Sequence, residues 1–122
     1  MQQQNNTITH IEIPAPDLEA AIHFYSRIFN WNIDVLEEGR YAYFKIGDTN
    51  TGGGFDSSLI PAPEQQGPQI VIDVQDIEET LKQIEMAGGF TTREKTLIPG
   101  GHGFYAAFRD PNGNNLQVHS NT

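Results

Sequence analysis

The 122 residues predict an α+β fold: two tandem βαβββ modules forming a cupped mixed sheet, with the helices outside. Three observations carry this expectation. The chain is internally repeated. Each half reads as one alternating strand, one amphipathic helix and about three further strands. A Pro-rich stretch without regular pattern separates the halves.

The repeat is visible when ITHIEIPAPDLEAAIHFYSRIFNW is set beside PQIVIDVQDIEETLKQIEMAGGF, so that His10 falls on Gln69, a shift of 59. Ile11 then falls on Ile70, Asp17 on Asp76, Ile22 on Leu81 and Trp31 on Phe90. The back halves match at a shift of 64: Tyr41 falls on Tyr105, Phe44 on Phe108 and Lys45 on Arg109. The change from 59 to 64 calls for five extra residues in the second half, expected in the Gly-rich loop Leu97 to Gly103. Residues 1–6, MQQQNN, are polar and expected to be a disordered tail. Residues 7–122 then form one domain, with repeats 7–58 and 69–120 joined by a linker over 59–68.

Each element follows from its own residues. The segment His10 to Ile13 alternates polar and apolar, which places His10 and Glu12 on one strand face. Asp17 is a helix N-cap; Leu18, Ala21, Ile22, Tyr25, Ile28 and Phe29 then share one helical face, and Asn30 suits a left-handed end. The segments YAYFK and TGGGF read as strands joined by a Gly/Asn/Asp turn. Gly52-Gly53-Gly54 lacks the Lys-Ser/Thr of a phosphate loop and reads as a strand closely approached by other backbone. In the second half Asp76 caps a helix whose apolar face is Ile77, Leu81 and Ile84, and Gly88-Gly89 ends it. The segment FYAAFR is a strand, DPNG a turn, and the last strand puts Gln117 and His119 on one face and Leu116 and Val118 on the other. His23 is expected at the surface. Ser26, Ser57 and Ser58 lack the setting of a hydrolase nucleophile.

Composition narrows function. Seven Lys+Arg against sixteen Asp+Glu give a net charge of −9, which argues against nucleic acid or anionic membranes as partners. The chain has no cysteine, hence no disulfide framework and no thiolate ligand. No signal peptide and no apolar run of membrane-spanning length is visible, so a cytoplasmic location is expected.

The words HIEIPAPDLEAAIHFYSRIFNW, VIDVQDIEETLKQIEMAGG and IPGGHGFYAAFRDPNGNNLQV together resemble the vicinal oxygen chelate superfamily: glyoxalase I, bleomycin-resistance proteins and extradiol dioxygenases. The likeness runs from about Ile8 to His119 and is nearest to the glyoxalase-related branch. It implies a cup that holds a small-molecule ligand and two chains packed as a homodimer. It also implies ligand positions for a divalent metal on the first and last strand of each half. Those positions map here to His10, Gly53, Gln69 and Gln117.

Only one of the four is a strong ligand, since amides are neutral and glycine has no side chain. The expectation is therefore a small organic molecule bound in the cup without a complete metal site and with no cofactor. Its contacts are expected from His10, Glu12, Gln69, His102, Gln117 and His119. The resemblance leaves two alternatives: a metal-dependent lyase, isomerase or dioxygenase, and a non-catalytic dimeric scaffold. If the protein is an enzyme, Glu12 is the candidate base. A displaced metal set of His10, Glu12 and His119 has the composition of a facial triad. His102, in the Gly-rich loop, is either a lid residue or an exposed loop histidine.

Overall fold

A computed structural model describes residues 6–122, so the tail expected over residues 1–6 lies, but for Asn6, outside the described residues. The first half builds β1 (His10–Pro14), α1 (Leu18–Phe29), β2 (Asn32–Val35), β3 (Tyr41–Lys45) and β4 (Gly52–Asp56). The second builds β5 (Val71–Asp73), α2 (Ile77–Met86), β6 (Phe90–Leu97), β7 (Phe104–Arg109) and β8 (Asn115–Ser120). The strands form two four-stranded sheets, ordered β1-β4-β3-β2 and β5-β8-β7-β6. In each, the first strand lies parallel to the last and the other pairings are antiparallel. Among the described residues no helix is long and apolar enough to cross a membrane.

Both helices begin as their residues dictate. The Asp17 carboxylate accepts from the Ala20 N–H and the Asp76 carboxylate from the Glu79 N–H, each at 3.1 Å. Asn30 ends α1 in the left-handed region, at φ 58°. The buried face of α2 is Ile77, Leu81 and Ile84, as its period requires.

The buried face of α1 departs from the expected stripe. Phe24, outside the expected stripe, is fully buried, whereas Ile22, Ile28 and Phe29 are only partly so. The cause lies in the other half of the chain. The Phe24 ring sits 6.0 Å from Phe108 of β7, and a side-chain carbon at Gly89 would come within 2.9 Å of it. Helix α1 packs on both sheets, so its apolar arc is wider than one sheet demands.

Two expectations about spacing are corrected. The five extra residues mainly lengthen a strand: β6 has eight residues where β2 has four. Register shifts between Thr91 and Arg93 and between Arg93 and Thr96 absorb them as irregularities. The second correction concerns the turns before the last strands. Between β3 and β4 the turn runs from 46 to 51, and between β7 and β8 from 110 to 114, one residue shorter. The shift of 64 therefore holds for β3 and falls to 63 in β4, which reverses the face of every residue assigned there.

The shorter turn, Asp110 to Asn114, locks the halves together. The Asp110 carboxylate, 3% exposed, accepts from the Tyr25 hydroxyl at 2.8 Å and from the Asn114 side-chain amide at 2.9 Å. It also accepts from the backbone N–H groups of Asn112 and Asn114, both at 2.9 Å. The Asn112 side chain accepts from the Asp17 N–H and donates to the Asp17 carbonyl, and the Asn114 amide donates to the Pro14 carbonyl at 2.6 Å. Burial pushes the Asp110 carboxyl up, its four hydrogen bonds opposing the shift. Burial, with the Asp110 charge and hydrogen bond, holds the Tyr25 phenol well above its ordinary 10.0.

Tyr25→Phe removes the only one of these donors that comes from α1 and leaves a buried acceptor short of a partner. We expect a loss of about 1–3 kcal/mol in urea unfolding, with the fold retained. The wild-type contribution is complete below about pH 10, where the free phenol keeps its proton, and is lost as pH rises through the raised folded value. The variant should accordingly be less sensitive to alkali between those limits.

Candidate functional site

Strand alternation gives each sheet a face turned away from the helices. On the first sheet the register sets His10 opposite Gly52 and Glu12 opposite Gly54, with Lys45, Tyr43 and Tyr41 on the next strand opposite Gly52, Gly54 and Asp56. Ile11, Ile13, Phe44 and Phe55 point the other way into the core. The open face thus carries His10, Glu12, Tyr41, Tyr43 and Lys45.

Three of these side chains are joined. The Tyr41 hydroxyl donates to Glu12 Oε2 at 2.6 Å and lies 3.2 Å from His10 Nε2. His10 Nε2 is also hydrogen-bonded to Glu12 Oε2. Tyr43 meets Tyr41 edge to face at 5.1 Å and His10 at 6.2 Å. Desolvation, followed by its bond to Glu12, raises the Tyr41 phenol far above its ordinary value, so the hydroxyl stays a donor.

Gly54 makes room for this cluster. A side-chain carbon there would lie 1.8 Å from the Tyr41 hydroxyl and 2.1 Å from its ring. Gly54 therefore holds the fourth mapped position on the open face, in correction of Gly53. Gly53 faces the core, where an added carbon would meet the Ile11 carbonyl at 2.1 Å and the Phe44 ring at 2.4 Å.

On the second sheet Val71 lies opposite Gln117 and Asp73 opposite His119, and Tyr105 and Ala107 flank them on β7. Gln69 precedes β5 rather than lying in it, and its amide donates to the Gly67 carbonyl at 3.2 Å. It still joins Gln117 in lining a cavity of about 200 Å³, with Glu64, Arg93, Tyr105 and Asn115. Glu64 comes from the linker and reaches Arg109 at 3.2 Å, and Arg93 lies over the Tyr105 ring at 5.8 Å. Asn115 Oδ1 is buried and, among the described residues, has no hydrogen-bond partner.

His119 does not join His10 and Glu12. Its Nδ1 faces the Asp73 carboxylate at 2.8 Å and its Nε2 the His102 carbonyl at 2.7 Å. Both nitrogens meet acceptors, so both bonds are made only when the ring is protonated. The His102 carbonyl first, then Asp73, raises its pKa above 6.5. His102 itself is exposed, and its backbone carbonyl makes the contact. Among the described residues no three His, Asp or Glu side chains converge as a metal cage.

The sequence reading missed Tyr41, whose role depends on which glycine of Gly52-Gly53-Gly54 faces it. The signal was the unequal length of the two turns before the last strands, which fixes that register.

Comparison with known proteins bears on the family and the fold. The sequence model of the Glyoxalase/Bleomycin resistance protein/Dioxygenase superfamily matches residues 7–118. A probable lactoylglutathione lyase of Vibrio cholerae is 28% identical over 127 residues, covering 96% of this chain and 92% of the relative. A glyoxylase-like domain-containing protein of Didymella fabae is 32% identical over 88 residues, 67% of this chain and 68% of its own. Among solved structures, fosfomycin resistance protein FosX from Listeria monocytogenes superimposes with a TM-score of 0.78 at 18% identity, covering 98% of this chain and 93% of its own. That structure is a mutant complexed with Mn(II) and 1S,2S-dihydroxypropylphosphonic acid. Lactoylglutathione lyase from Agrobacterium tumefaciens gives 0.67 at 20%, covering 97% and 96%. At these identities the structures establish the fold.

Two outcomes follow from the site. Gly54→Ala should fold but expel the Tyr41 ring, so that one more of the four tyrosines ionises in the ordinary range than in wild type, read by ultraviolet pH titration. His119 should titrate above 6.5 in NMR, and Asp73→Asn should lower it. A raised folded value stabilises the His102 loop fully below about pH 6.5 and loses that hold as pH rises through it, seen as line broadening in residues 98–103.

Proposed function

As a member of the Glyoxalase/Bleomycin resistance protein/Dioxygenase superfamily, this chain is read through its departures from a metal site, and we propose that it binds a small organic molecule on its open sheet faces without a metal. The observation that carries the reading is the set at the four mapped positions: His10, Gly54, Gln69 and Gln117. One imidazole and two neutral amides are a weak donor set for zinc, nickel, iron or manganese. At the remaining position Tyr41 fills the space a ligand side chain would need. These residues do not fit the metal that the resemblance implies.

What remains suits an organic ligand. The first sheet offers a carboxylate, an imidazole and two phenols. The second offers Gln69, Gln117 and Arg93 around a cavity of about 200 Å³. The lactoylglutathione lyase relatives name one chemistry, but isomerising a glutathione adduct of methylglyoxal needs a strong electrophile beside the enediolate. His10, Gln69 and Gln117 supply none.

The test is metal content by mass spectrometry on tag-free protein, before and after incubation with Zn²⁺, Ni²⁺, Mn²⁺ and Fe²⁺. We expect background levels, and no turnover of the methylglyoxal–glutathione adduct with any of them. Stoichiometric metal that disappears in His10→Ala would overturn the reading and make the protein a metal-dependent enzyme of the superfamily.

A further inference from the structure

The three joined side chains of the first sheet have a direction. A neutral imidazole has one N–H and one lone pair, and its neighbours decide which nitrogen holds which. His10 Nε2 faces Glu12 Oε2 and, at 3.2 Å, the Tyr41 oxygen. The Tyr41 proton is already given to Glu12. Both neighbours therefore present lone pairs to Nε2, so Nε2 keeps the proton. Among the described residues nothing is hydrogen-bonded to Nδ1, which carries the lone pair. A carboxylate that fixes one imidazole nitrogen as a donor leaves the other poised as a base and stabilises the cation formed when that base takes a proton.

We propose that His10 Nδ1 is a metal-independent proton acceptor for a small, uncharged organic ligand carrying an acidic C–H or O–H. In this assignment Glu12 and Tyr41 are positioning residues. The proposal rests on the metal-free reading above and deepens it: it moves the base from Glu12, the candidate in the sequence, to its neighbour. In the step the ligand's proton passes to Nδ1 and its bonding pair stays on the ligand. The imidazolium charge is then balanced by Glu12, which keeps its hydrogen bond from Tyr41. The charges on this face favour an uncharged ligand over an anion: Glu12, Asp34 and Asp56 stand against Lys45 alone. Tyr41 is held in place because Gly54 has no side chain, so the glycine that offers no metal ligand also leaves Tyr41 free to bond Glu12.

The first measurement is the tautomer of His10 from its ring ¹⁵N shifts, on full-length protein in chelator. Neutral His10 should be the Nε2–H form, and Glu12→Gln should mix the two forms. The second uses 5-nitrobenzisoxazole, a flat uncharged carbon acid. Removal of its one ring-carbon proton beside nitrogen turns the C–H pair into a nitrile bond and breaks N–O to release a phenolate. In chelator the wild-type rate should exceed that of His10→Ala about tenfold or more. Glu12→Gln and Tyr41→Phe should each lower it several-fold, with Glu12→Asp restoring part of the loss. An Nδ1–H tautomer, or equal rates in wild type and His10→Ala, would overturn the proposal. Neither result would touch the metal-free reading, which fails only if metal binds.

Discussion

The Asp110 carboxylate, almost fully buried, accepts four hydrogen bonds, and the placement of one sheet against the other depends on it. Two of its donors are backbone groups of its own turn, which give the turn its shape. The third is the Asn114 amide, whose other proton goes to the end of β1. The fourth is Tyr25 of α1. A buried charge is costly unless its hydrogen bonds are complete, and here completing them requires the first half of the chain to be docked on the second. Asn112 adds a second tether by bonding both backbone groups of the α1 N-cap residue. The pentapeptide Asp110 to Asn114 is therefore a clasp between repeats as well as a turn between strands.

That docking makes the apolar core continuous. Phe24 and Phe29 of α1 reach Phe108 of β7, while Tyr25, Trp31, Phe44 and Phe55 stack beneath the first sheet. With the helix side of both sheets closed in this way, polar chemistry is left to the opposite faces. There the two halves differ. The first sheet has an imidazole, a carboxylate and two phenols in mutual contact. The second has amides, an arginine and a histidine already committed on both nitrogens to Asp73 and the His102 carbonyl.

The two sheets differ in what their open faces hold at matching register positions. Gly54 has no side chain, and the space beside it is filled, as close packing requires. Tyr41 fills it, and its hydroxyl donates to Glu12. At the matching register position of the second sheet Gln117 places a neutral amide opposite Val71.

Much of the fold was legible in the sequence. The repeat, the Asp17 and Asp76 caps, the α2 stripe and the strand alternation are local patterns, set by backbone geometry and hydrogen-bonding needs within a few residues. The sequence also placed His10 and Glu12 on one face and Gln117 and His119 on one face. Three things were decided only by tertiary structure. Phe24 is buried because the second sheet comes to it. Gly54 rather than Gly53 faces the site because a turn one residue shorter in the other half changes strand register. His119 is separated from His10 and Glu12 because Asp73 and the His102 carbonyl hold it. Each depends on contacts between residues far apart in the chain, and a single sequence records local preference far better than it records which distant partners will meet.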